Sequence, residues 1–236
     1  MDWFGTRYYA LLYGHRDQLD ARAWVDMIIH AMGLVPGQRL LDMACGRGRH
    51  AECFAKAGLR VTGVDLSVAS IQEATARVPE AVFKVHDFRT PVSIGDFDAV
   101  VCLFTSLGYS KDRDDDRRAL RSVHTCLKPG GRLVLDLMNG NVVRRSLVAE
   151  ERCRVQGVDF SVRRRLHGDG IVKTIAVQDN DRQLLFEEYV HLWEVDEVQA
   201  LVEAAGLMVD RITDGPAPVT FRPAESQRIV VHAHRP

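Results

Sequence analysis

The chain has 236 residues, 46% hydrophobic and 27% charged, a composition ordinary for a folded globular protein of one large domain or two small ones. Lys and Arg number 31 and Asp and Glu 32, so the net charge of −1 argues against a nucleic-acid binder, and no apolar run approaches the roughly 18 residues of a membrane span. Five cysteines with no C-x-x-C pair argue against a disulfide framework or zinc ribbon, and the N-terminus lacks a basic segment followed by an apolar core, so a cytoplasmic protein without a signal peptide is expected.

Residues 1–34 read as helical, with Phe4, Tyr8, Leu11 and Leu12, then Trp24, Met27, Ile28 and Ala31 recurring at helical spacing before Pro36-Gly37 stops the pattern. Short apolar runs then alternate with amphipathic stretches. Strands are expected at 40–44, 61–65, 82–86, 97–103 and 132–137, with helices to Lys56, over 68–77 and over 114–127. Ser67 is the expected N-cap of the second of these helices, with Glu or Gln near the position a capping box needs. This alternation predicts βαβ units around a parallel sheet. After residue 150 the pattern changes: runs at 151–156, 158–166, 171–178 and 184–193 are rich in β-branched and aromatic residues, with turn residues between them. They predict an antiparallel β insert over 150–193, a substrate wall or a homodimer contact. A helix over 196–205 and strands near 208–213 and 227–234 complete a single domain.

The stretch Leu41-Asp42-Met43-Ala44-Cys45-Gly46-Arg47-Gly48-Arg49-His50 places two glycines between a strand and a helix. Glycine there allows positive φ and close approach of a ligand to the backbone, and the helix N-terminus offers its N–H groups. Asp42 lies inside the strand, where a carboxylate is costly unless it meets a cation or several donors. Asp65 ends the second strand, where a carboxylate can accept ribose hydroxyls, and Asp87 is expected to end the third, where it can accept from an adenine amino group. All three converge on the carboxyl edge of the sheet.

With Val64-Asp65-Leu66-Ser67, His86-Asp87, Phe97-Asp98-Ala99-Val100 and Leu127-Lys128-Pro129-Gly130-Gly131, the turn resembles the class I S-adenosylmethionine-dependent methyltransferases. The likeness is greatest to small bacterial members whose N-terminus carries Tyr8-Tyr9, Leu12-Tyr13 and Arg16-Asp17 ahead of such a turn; it covers residues 3–140 well and 195–236 more loosely. The resemblance implies a Rossmann-like, doubly wound seven-stranded sheet with the last strand antiparallel, and S-adenosylmethionine as cofactor. It implies that Ala44, Gly46, Gly48 and Arg49 form the cofactor turn, that Asp42 binds the cofactor ammonium and that Asp65 binds the ribose. Leu66 would lie against the adenine, Asp87 and Phe88 would bind and cover it, and Leu103 and Phe104 would line the methyl-donor region. Tyr9, Tyr13 and Arg16, spaced to share one helix face, would form a lid.

Methyl transfer from a sulfonium needs alignment and exclusion of water, with a base where the acceptor must lose a proton. Tyr109 and His191 are the candidate catalytic residues, with His86 and His124 also considered. No [Asn/Asp]-Pro-Pro-[Tyr/Phe] follows the fourth strand and no Pro-Cys occurs, against methylation of adenine, glutamine or cytosine. A small-molecule acceptor with a nitrogen, oxygen or carboxylate nucleophile is expected, with no nucleic acid, membrane or metal. The alternatives are a nicotinamide-dependent oxidoreductase, since Gly46-x-Gly48-x-x-Ala51 also fits a loose dinucleotide pattern, and a cofactor-binding regulatory protein without turnover. Cys45 and Cys102 read as packed thiols. The charged run 112–118 reads as a solvated helix start.

Overall fold

The computed structural model describes residues 3–14, 18–92, 95–110, 112–217 and 219–236, with backbone alone for 18–20. In chain order the elements are α1 (Arg7–Tyr13), α2 (Gln18–Met32), β1 (Arg39–Met43), α3 (Arg49–Lys56), β2 (Arg60–Asp65), α4 (Val68–Arg77), β3 (Val82–Val85), β4 (Phe97–Cys102), α5 (Arg113–Cys126), β5 (Leu127–Met138) and α6 (Gly140–Arg145). There follow β6 (Glu150–Val155), β7 (Val158–His167), β8 (Gly170–Asp179), β9 (Arg182–His191), α7 (Val195–Ala204), β10 (Met208–Thr213) and β11 (Arg228–His234). Seven strands form one sheet in the order β10-β11-β5-β4-β1-β2-β3. Strands β1 to β5 run parallel, and β11 is antiparallel to both β5 and β10, the doubly wound arrangement expected.

Period-2 alternation of side chains divides the core into two layers. Leu41, Met43, Val100, Cys102, Leu133, Leu135 and Leu137 point to the side covered by α5 and α7. Leu40, Ala99, Val101, Leu103 and Val134 point to the side covered by α2 and α3. Each of these side chains is at least nine-tenths buried, and burial of one Leu or Val is worth about 1.5–3 kcal/mol. β3 departs from the expected buried run: it is an edge strand with Val82 and Val85 about half exposed.

The insert is a four-stranded antiparallel meander in the order β6-β7-β8-β9. Its apolar face, with Val158, Phe160, Val162, Ile175, Val177 and Phe186, is covered by Trp3, Tyr8 and Leu12. The N-terminal segment is therefore two units. α1 belongs to the insert, tied by Trp3 to Glu188 and by Arg7 and Tyr8 to Asp179, whereas α2 belongs to the main sheet.

Ser67 does cap α4, its hydroxyl accepting from the Ser70 backbone at 3.2 Å, but the third helical position holds Ser70, so no reciprocal Glu or Gln completes a box. A full capping box forms instead between Glu194 and Glu197 at α7. In α5, Asp112 is the N-cap, but Asp115 and Asp116 are buried rather than solvated. The short α6, unforeseen in the sequence, is capped by Asn139. All five cysteines are free thiols, and Cys45 and Cys102 are packed as expected. No helix among the described residues is long and apolar enough to cross a membrane.

Candidate active site

β1 delivers Asp42 to the carboxyl edge of the sheet on the α2 side. The residue is 2% exposed, and its Oδ2 has no hydrogen-bond partner. Burial, and secondarily the charge of Asp65, push its pKa up to about 7. An unpartnered buried carboxylate is expensive to maintain, which marks a position built to meet a cation.

The chain beyond β1 turns through left-handed backbone at Ala44 (φ 56°), Gly46 (φ 53°) and Gly48 (φ 75°). The two glycines serve different ends. A Cβ on Gly46 would meet nothing within 4 Å, so the turn is open there. A Cβ on Gly48 would lie 3.0 Å from the Ala74 Cβ and 3.2 Å from its Cα, so this glycine lets the start of α3 press against α4. Arg49 opens α3, its guanidinium over the Phe104 ring at 5.1 Å. Asp65 braces the turn: it accepts from the Gly46 N–H at 2.9 Å and the Ser67 N–H at 2.8 Å. Leu66, next in sequence, is exposed.

Asp87 lies two residues beyond β3 rather than at its end. Its carboxylate is held by the Arg89 guanidinium at 2.9 Å, which keeps its pKa below the usual range; Arg89 also reaches Asp115. Phe88 is half-buried against the α5 layer. Leu103 is buried in the α2 layer. The Phe104 ring packs among Trp24 (centroids 5.3 Å apart), His50 (5.1 Å, stacked), Arg49 and Arg228.

Tyr9, Tyr13 and Tyr109 come together in an aromatic row through Phe4. Ring centroids are 5.2 Å apart for Tyr109 and Phe4, 5.4 Å for Phe4 and Tyr9, and 4.9 Å for Tyr9 and Tyr13. Tyr13 ends the row at Lys173 of the insert, which donates to its hydroxyl. Arg16 lies outside the described residues.

Tyr109 and His191 meet at Gly108. The His191 N–H donates to the Gly108 carbonyl at 2.8 Å, the Gly108 N–H donates to Asp116 at 3.0 Å, and a Cβ on Gly108 would lie 2.7 Å from the Trp193 Nε1. Burial raises the Asp116 pKa to about 6. His191 is 3% exposed, with Nδ1 3.3 Å from Asp169 and Nε2 3.5 Å from Glu197. Neither ring nitrogen makes a well-directed hydrogen bond; burial, then the Arg113 charge, lowers its pKa against those two carboxylates. His191 thus anchors the Tyr109 loop from inside, and Tyr109, about one-third exposed, is the member open to solvent. His86 follows β3 and is half-buried, bonded to the Thr90 carbonyl at 2.9 Å. His124 lies in the last turn of α5.

Sequence reasoning missed Asp136 and Arg228. Asp136 is fully buried in β5, and Arg228 of β11 donates to both its oxygens, at 2.7 and 2.6 Å. The signal was present in a carboxylate inside the apolar run Leu133-Val134-Leu135-Asp136-Leu137, the same signal that exposed Asp42. Among the described residues no group of three or more His, Cys, Asp or Glu is placed to hold a metal ion.

Fold and site together describe a doubly wound protein with an open glycine turn at the carboxyl edge of its sheet and an orphaned carboxylate oxygen beside it. Residues 40–131 match the family described as Methyltransferase domain. A dTDP-4-amino-2,3,4,6-tetradeoxy-D-glucose N,N-dimethyltransferase from Saccharopolyspora spinosa is 30% identical over 191 residues, 78% of this chain and 76% of that protein. A demethylmenaquinone methyltransferase from Renibacterium salmoninarum is 35% identical over 115 residues, and there the match spans 48% of this chain and 47%, about half, of that protein. The solved structure of SAM-bound CalS10, an amino pentose methyltransferase from Micromonospora echinaspora involved in calicheamicin biosynthesis, matches with a TM-score of 0.73 at 25% identity, covering 100% of this chain and 99% of that one. The chain belongs to the class I S-adenosylmethionine-dependent methyltransferases, and S-adenosylmethionine is its cofactor. The nicotinamide alternative is set aside with that assignment. The residues present fit the cofactor: the orphaned Asp42 oxygen suits its ammonium, and the open face of Gly46 leaves space beside it.

Proposed function

We propose that the chain methylates an amine nitrogen of a small molecule, with an amino sugar as the acceptor class. The observation that carries the reading is the aromatic row from Tyr13 through Tyr9 and Phe4 to Tyr109, a residue that follows β4 at the carboxyl edge. The names of the sugar N,N-dimethyltransferase and amino pentose methyltransferase relatives support the acceptor class.

Bound S-adenosylmethionine supplies a methyl group on a sulfonium, which makes the transfer favourable. The protein's residues do the rest. Asp42 and the 44–48 turn hold the amino-acid end, and Asp65 and Leu66 the nucleoside. Asp87 serves the adenine with the oxygen capacity Arg89 leaves it. Phe4, Tyr9 and Tyr13 form the lid, excluding water and offering aromatic faces to positive charge. The Tyr109 oxygen accepts from the attacking amine N–H, orients its lone pair and passes the departing proton to solvent. His191, enclosed by Asp169, Glu197 and Trp193, holds the loop that carries Tyr109.

The test is a panel of acceptors in three classes, amino sugars, phenols or quinols, and carboxylic acids, assayed for S-adenosylhomocysteine. Turnover confined to amines supports the reading; turnover confined to quinols or acids refutes it. Leu185, exposed on the face of the insert turned away from α1, supports pairing with a second copy there, which sedimentation of a Leu185→Glu variant would test.

A further inference from the structure

β4 and β5 pair in parallel with Cys102 opposite Leu135, and the ladder continues past the end of β4, where the Thr105 N–H donates to the Asp136 carbonyl at 3.0 Å. Between these points the backbone turns through Phe104 (φ 58°) and Thr105 (φ 60°), two successive side-chain-bearing residues in the left-handed region. Such residues cost of order 1–3 kcal/mol each and persist where surrounding contacts over-determine them.

The contacts that over-determine these two converge on one ion pair. The Phe104 N–H donates to Asp136 Oδ2 at 2.7 Å, the oxygen that also accepts from Arg228 at 2.6 Å. Arg228 donates at 3.2 Å to the Thr105 hydroxyl oxygen, which also accepts from the Met138 N–H at 3.0 Å. The Arg228 guanidinium carbon stands 5.7 Å from the centre of the Phe104 ring. Asp42 and Asp136 point to the same side of the sheet; Asp136 is paired with Arg228, whereas Asp42 Oδ2 has no hydrogen-bond partner.

We propose that Arg228 and Asp136 are positioning residues for the cofactor: they hold the 103–105 turn so that Phe104 forms one wall of the site. The proposal rests on the reading that Phe104 lines the methyl-donor region. The pair is separated by 92 residues in sequence and joins the antiparallel strand β11 to the cofactor edge, which gives the last strand a role in the site.

The test is a double-mutant cycle read by calorimetry with S-adenosylmethionine and by thermal unfolding. Arg228→Lys keeps the charge beside buried Asp136 and loses the two-pronged geometry, and Phe104→Leu keeps an apolar side chain. Each single variant is expected to bind about 10-fold more weakly. The double variant is expected to bind about 10-fold more weakly as well, not about 100-fold, because both act through one wall. Unchanged affinity for Phe104→Leu would overturn the reading of Phe104 as a wall, and the proposal with it. A weakened Phe104→Leu beside an Arg228→Lys that melts lower but binds normally would overturn the positioning role alone. Additive losses would do the same.

Discussion

Asp42→Asn is predicted to raise the stability of the cofactor-free protein while weakening its grip on the cofactor. The carboxyl of Asp42 keeps its proton up to about pH 7 in the fold, against 3.8 ordinarily. Holding it ionised at pH 8 therefore costs about 4 kcal/mol. Asparagine removes the charge but leaves a buried amide to satisfy, so roughly half, about 2 kcal/mol, should be recovered. For a chain of this size that is a rise of about 4–8 °C in melting temperature. Binding moves the other way: a charge-assisted hydrogen bond is worth about 1.5–3 kcal/mol, so affinity should fall about 10- to 100-fold.

The pH dependence separates this account from a general loosening. Between about pH 4 and pH 7 the native state holds a proton that the unfolded chain has released, so the stability of the cofactor-free protein falls as pH rises through that window. The ionised carboxylate is the form that meets an ammonium, so cofactor affinity in the wild type should rise about 15-fold from pH 5.5 to pH 7. That rise should be absent in the variant. Differential scanning calorimetry and titration calorimetry at both pH values give all four quantities. An Asp42→Asn protein that melts lower and binds unchanged would refute the reasoning.

Three further outcomes follow from the geometry. Gly48→Ala places a Cβ 3.0 Å from the Ala74 Cβ at φ 75°, so unfolding should show a loss of about 1–3 kcal/mol. Asp65→Ala removes the acceptor for the Gly46 and Ser67 N–H groups as well as the carboxylate proposed to bind the ribose, so cofactor affinity and melting temperature should fall together. Tyr109→Phe keeps the contact with Phe4 and loses the oxygen, so kcat should fall about 100-fold or more in an acceptor assay while calorimetric affinity for the cofactor stays within error.

Most of the sheet was legible in the sequence because its strands are continuous apolar runs bounded by glycine and proline, and the insert because its runs alternate with Asp-Gly and Asp-Asn turns. The glycine turn was legible because Gly46 and Gly48 stand between a strand and a helix, and Asp42 stood out because it breaks an apolar strand. Asp136 breaks one in the same way, but its partner Arg228 lies on the last strand, and only the antiparallel pairing of β5 with β11 brings the two together. The left-handed conformations of Phe104 and Thr105 had no local signal, since neither is glycine; they follow from that ion pair. The Phe4 bridge between Tyr9 and Tyr109 depends on α1 docking on a sheet more than 140 residues away. The hold of Arg89 on Asp87 was within reach of the sequence, the two being neighbours but one.

The measurement closest to the central claim is transfer from S-adenosylmethionine carrying a deuterated methyl group to an amino-sugar nucleotide, with the product read by mass spectrometry and NMR. The account predicts the labelled methyl on the amine nitrogen, with S-adenosylhomocysteine formed in equal amount. Label on an oxygen or carbon of the acceptor, or no transfer to any amine by a protein that binds the cofactor, would contradict it.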